Sequence, residues 1–196
     1  MTPRLFATVG GVCVLCLAGL GAVFVAGRSN DSNASSTAAA VERGSIAAGD
    51  PIPAPTGRVV LRVTGVESGN AGAHATAMDF RTLEQMPRVK VRVYEPFLKR
   101  DMSFSGVRMS DLLAVIGVSP SAGSIYVHAL DDYHVTLTQD QLASAGAVLA
   151  TRANGARIAI KDGGPIRIIL ARSGKVADNA DNWVWSVDRM RVSASR

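Results

Sequence analysis

Every thiol in this chain lies within its first sixteen residues: Cys13 and Cys16 are its two cysteines, and both sit in an apolar opening stretch. Whatever folds downstream holds itself together without a disulfide. It also offers no thiolate for zinc, for an iron–sulfur cluster or for nucleophilic chemistry. A chain of 196 residues, 47% of them hydrophobic, has the apolar material to fold by burial alone, as one domain plus a short appendage. Net charge is +5, and setting aside residues 1–40 leaves 19 basic and 15 acidic residues. With 5% aromatic residues and no long Lys/Arg run, no nucleic-acid partner is expected.

Residues 5–26 carry no charge and a single hydroxyl, that of Thr8. About 20 apolar residues cross the hydrocarbon core as a helix, whereas a signal-peptide core needs only about 7–15. Arg4 precedes the stretch and favours a cytoplasmic N-terminus. Residues 1–27 are therefore expected to form a single-pass membrane anchor, with the soluble part outside the cytoplasm. The alternative is a signal peptide cut after Ala26 or Gly27, giving a secreted or periplasmic protein. Residues 28–57 are small, polar and Pro-rich towards their end, which predicts a flexible tether.

Residues 58–196 read as a mainly β domain of α+β class, with mixed sheets and two or three short helices. RVVLRVTGV alternates, with Val59, Leu61 and Val63 on one face. RVKVRVYE repeats the pattern, with Arg88, Lys90 and Arg92 opposite Val89, Val91 and Val93. Between them Asp79 caps a helical turn that Pro87 closes. Ser110 is expected to open a second helix, which Gly117 ends. SIYVHAL, YHVTLTQ and AVLATR are strand-like, with one helical turn over 139–145. Asn154-Gly155 predicts a tight turn into RIAI, GGPIRIILA a buried strand, and WVWSVDRMRV a closing strand with Trp183, Trp185 and Val187 on one face.

The order LRVTGV, DFRTLEQMPRVKVRV, FSGVRMSDLLAVIGV, ALDDYHVTL, VLATRANGARI, DGGPIRIIL and WVWSVDRMRV resembles the molybdopterin-binding domain of sulfite oxidases over residues 57–193, in the style of small stand-alone bacterial members. The resemblance implies that fold. In redox-active members a cysteine at the end of the strand before an aromatic-x-Gly element, here Phe104-Ser105-Gly106, ligates molybdenum. The strand end here reads Val93-Tyr94-Glu95, and Tyr94 aligns with the cysteine. A phenol, harder and with a pKa near 10, does not replace a thiolate. The resemblance further implies cofactor-side or substrate-side roles for Arg167 and Tyr133. Ser173-Gly174-Lys175 stands for a Gly-x-Lys-Trp element, except that Trp183 follows Lys175 only eight positions later.

Each candidate also has a plain structural reading. Arg167, flanked by apolar residues, needs an anion, and either a ligand or a salt bridge with Asp131, Asp132 or Asp162 would serve. Asp131 and Asp132 suit a turn, and Trp183 and Trp185 suit a core face. His74, His128 and His134 have no metal-ligand spacing, and no metal site is expected. No Gly-x-Ser-x-Gly, Walker or dinucleotide motif is present. These residues favour a non-redox, membrane-tethered domain that binds a small anionic ligand or a membrane-protein partner, without catalysis and without a cofactor. The alternatives are a molybdopterin-dependent oxidoreductase of the sulfite oxidase type, carrying molybdopterin, and a structural docking module of a membrane complex.

Overall fold

The computed structural model describes residues 40–68, 71–120 and 123–193. The expected anchor at 1–27 and the first part of the tether lie outside the described residues. Among those described, no helix is long and apolar enough to cross a membrane.

The elements run β1 (Ala40–Glu42), β2 (Val59–Ser68), β3 (Ala71–Asp79), α1 (Phe80–Glu84), β4 (Arg88–Glu95), β5 (Arg100–Arg108), α2 (Met109–Val115), β6 (Ser124–Ala129), β7 (His134–Leu137), α3 (Gln139–Ser144), β8 (Ala147–Ala153), β9 (Ala156–Arg157), β10 (Arg167–Leu170) and β11 (Val187–Ser193). The domain is mainly β, with three short helices and two sheets, as the sequence implies. One sheet runs β1-β4-β5-β8-β10, with β9 hairpinned onto β8. The other runs β3-β2-β11-β6-β7 and is mixed, because β11 lies parallel to β2 and antiparallel to β6.

The domain starts earlier than residue 58. β1 pairs with β4, the Ile46 side chain is buried, and the Ile46 N–H donates to the Gln85 carbonyl at 3.0 Å. The later half of the expected tether is thus laid against the domain. Its small, polar composition conceals one edge strand and one core isoleucine.

Local chemistry explains the helix starts. The Asp79 carboxylate accepts from the Thr82 N–H and hydroxyl at α1, both at 2.9 Å, while its second oxygen accepts from the N–H groups of Thr56 and Gly57. Led by the Thr82 N–H and opposed by burial, these bonds hold its pKa at about 2. α3 opens with a capping box between Thr138 and Gln141. α2 begins one residue before the expected Ser110, behind Arg108, which makes no side-chain cap bond. The closing strand also differs from expectation: β11 starts at Val187, and of the Trp183–Trp185 stretch only Val184 bridges a strand, at Ile168.

A single apolar core joins the two sheets, with Leu61, Met78, Leu83, Phe104, Leu149 and Ile166 among its fully buried members. Where β5 crosses β8 the register shifts at Ser105/Gly106, and a Cβ on Gly106 would meet the Leu149 carbonyl oxygen at 2.0 Å. The glycine of the aromatic-x-Gly element is required by that close strand approach.

Candidate functional site

The inward parity of β4, carried by Val89 and Val91, ends on Glu95, whose side chain is fully buried. Opposite it, at the start of β10, stands Arg167, 1% exposed, and its Nη2 reaches Glu95 Oε1 at 2.6 Å. The other Glu95 oxygen accepts the Leu98 N–H and ties down the β4–β5 turn. The guanidinium carbon lies 4.0 Å from the centre of the Trp185 ring and 5.3 Å from that of Phe104. Burial pushes the Arg167 guanidinium below its usual range, and Glu95 pulls it back. Arg167 therefore has a salt bridge, but with Glu95, not with Asp131, Asp132 or Asp162. The partner lies 72 positions away, brought near only by the sheet.

Trp185 is seated by Gly163. That residue has φ +82°, and a Cβ there would meet the indole at 2.6 Å. Two buried donors at this place, Arg167 Nε and Trp185 Nε1, have no hydrogen-bond acceptor among the described residues. Both residues line a cleft of about 330 Å³ together with Arg100, Asn154, Arg157 and Lys161. Asn154 and Gly155, both left-handed (φ 49° and 84°), form the expected tight turn that positions Arg157. Arg157 stacks over Phe80 at 4.4 Å and stands 3.8 Å from Glu84. Among the described residues, Arg100 and Lys161 make no ion pair. Asp162 is the one carboxylate lining the cleft among the described residues, against Arg100, Arg157, Lys161 and Arg167, so the cleft is cationic.

Tyr133 lines a separate pocket of about 250 Å³ with Phe97, Asp131, Asp181, Trp183 and Trp185. Its hydroxyl donates to the Asp181 carbonyl at 2.5 Å. Burial first, and then the negative charge of Asp181, raises its pKa. Tyr133 and Arg167 thus stand on neighbouring cavities that share Trp185. Tyr94 belongs to neither. It is 59% exposed, on the solvent side of β4 with Lys90 and Arg92. Parity at the strand end gives the inward place to Glu95.

His128 Nδ1 lies 2.8 Å from Asp188, its Nε2 3.0 Å from Arg189, and His134 faces it across the β6–β7 hairpin. Among the described residues no three His, Cys, Asp or Glu side chains converge as metal ligands. A third and larger groove, about 530 Å³, lies beside Ile158 and Ile160. Its one carboxylate, Asp79, is spent on backbone N–H groups. Sequence reasoning missed Glu95, Arg100 and Lys161 as site residues and placed Trp185 in the core.

Residues 75–193 match the family described as oxidoreductase molybdopterin binding domain. Among solved structures the chain is similar to the sulfane dehydrogenase SoxCD from Paracoccus pantotrophus, at 19% identity and a TM-score of 0.54. That match covers 69% of this chain and 38% of the other, so the likeness is one of fold and spans well under half of the larger protein. No curated protein matches the chain. With more than half of its length matched, the chain belongs to the oxidoreductase molybdopterin binding domain family.

Proposed function

We propose that this chain is a membrane-tethered, extracytoplasmic member of its family that binds a small anionic ligand in the Arg100–Lys161 cleft and performs no molybdenum redox chemistry. The observation that carries the reading is the pair of buried donors without acceptors, Arg167 Nε and Trp185 Nε1, at a cleft whose other polar groups are mostly cations. A buried donor left unpaired costs about 1–3 kcal/mol, which an oxyanion oxygen reaching it would offset. Arg100 and Lys161, exposed and without ion-pair partners among the described residues, supply attraction at the rim.

The family implies a molybdopterin cofactor, and the donor set here does not fit a thiolate-held metal. No cysteine follows residue 16, Tyr94 faces solvent, and the inward carboxylate of Glu95 is already committed to Arg167 and the Leu98 N–H. The membrane tether rests on the uncharged stretch at 5–26. Fractionation of host cells with protease added to intact spheroplasts tests it: the domain should be digested from outside and the residual anchor should pellet with membranes.

The binding test is calorimetric titration of the full chain with inorganic pyrophosphate. The reading expects saturable binding that weakens about tenfold or more in R100A/K161A, as the loss of two charge contacts predicts. Pyrophosphate binding that ignores both substitutions, or no binding of pyrophosphate, phosphate or small carboxylates, sinks it.

A further inference from the structure

The pocket on the other side of the Phe97–Leu98 turn has the opposite chemistry from the cleft. Its lining is aromatic and acidic: Phe97, Tyr133, Trp183 and Trp185 with Asp131 and Asp181, and no cation lines it. Arg167 already occupies the Trp185 ring, so the uncommitted aromatic surface belongs to Phe97, Tyr133 and Trp183. Phe97 meets Trp185 edge-on at 5.5 Å, and the Trp183 Nε1–H is held by the Ala177 carbonyl at 3.0 Å. The Tyr133 hydroxyl is likewise fixed on the Asp181 carbonyl. With the polar handles of both rings already paired to backbone carbonyls, the rings offer the cavity apolar walls with negative faces. No side chain in the described residues forms an ion pair with Asp131 or Asp181.

Aromatic faces attract cations, and the attraction grows as the cation is desolvated. A neutral apolar guest would leave the two lining carboxylates without a counter-charge, and an anion would be repelled by them. We infer that the Phe97–Tyr133–Trp183 pocket is a second binding site, for a small organic cation of the alkylammonium type. At about 250 Å³ the pocket suits a headgroup such as a trimethylammonium and excludes a bulky polycation from its interior. Rings would enclose the methyl groups while Asp131 and Asp181 balance the charge. The site stands on its own residues, since it shares only Trp185 with the anion cleft.

The chain has two tryptophans, and both line this pocket, so intrinsic fluorescence reports directly on its occupancy. The experiment titrates the full-length chain with tetramethylammonium chloride at constant ionic strength, with sodium chloride and tert-butanol as matched controls. The result expected is a saturable change with tetramethylammonium alone, weakened by about fivefold or more in D181N and in F97A. Asp181→Asn keeps the backbone carbonyl that accepts from Tyr133, and a far-UV spectrum unchanged in both variants ties the loss to the pocket. An equal response to tert-butanol would make the cavity merely apolar and overturn the inference. No saturable response, or one that both variants retain in full, would overturn it equally.

Discussion

Arg167 and Glu95 form a buried ion pair whose net worth depends on the comparison made. Bringing two charges out of water costs several kcal/mol per ion, which the 2.6 Å contact and the Trp185 and Phe104 rings offset. Removing one partner leaves the other buried and unpaired. Glu95→Gln is expected to lower unfolding stability by about 3–5 kcal/mol, whereas E95Q/R167M should recover most of that loss. Urea denaturation of the two variants checks this, and a single-variant loss below about 1 kcal/mol would contradict it. Part of this was legible in the sequence. An arginine amid GGPIRIIL demands an anion, and the alternation of RVKVRVYE already assigns Tyr94 to the solvent side with Lys90 and Arg92. The identity of the anion was not legible, because nothing local to residue 167 links it to residue 95. The pairing exists only once β4, β5, β8 and β10 lie side by side.

At the scale of elements, helix starts and turns were readable where one side chain decides them. Asp79 at α1 and Asn154-Gly155 at the β8–β9 turn behave as their chemistry dictates. β3 was hidden because AGAHATAMD is built largely of alanine and carries almost no apolar alternation. β1 was hidden by its three-residue length. Asp79 also gives α1 a pH dependence. Its folded pKa, about 2, lies below the ordinary aspartate value of 3.8, so its contribution is full above about pH 4–5 and is lost as pH falls towards 2. Asp79→Ala should cost about 1–2 kcal/mol at neutral pH, the worth of a helix cap. The gap from wild type should narrow in acid, as denaturation at pH 7 and pH 2.5 would show. At the other decisive turn, Gly163→Ala forces a Cβ into the Trp185 indole at a positive φ. It should destabilise the domain by about 1–3 kcal/mol and change the near-UV circular dichroism of the tryptophans. A spectrum identical to wild type would show that Trp185 does not rest on Gly163.

The domain is a member of its family in fold, with an acidic residue at the buried end of β4. The place that faces inward carries Glu95, tied to Arg167, and next to this pair lies a cleft rimmed by Arg100, Arg157 and Lys161. The fold was readable in the sequence from several short segments in the right order. The cleft was not, because its cations come from β5, β9 and the turn after β9, and each reads alone as an ordinary surface residue. The proposed anion binding would rest on charges at an exposed rim, so pyrophosphate affinity should fall by about tenfold or more between 50 and 500 mM salt. Affinity that is flat across that range would place the anion elsewhere. The proposed absence of molybdenum chemistry is checked by molybdenum and tungsten analysis, with fluorescence of oxidised pterin, on the full-length folded protein purified from its own host. Neither metal nor pterin is expected above background, whereas near-stoichiometric amounts of both would overturn the proposal and restore an oxidoreductase.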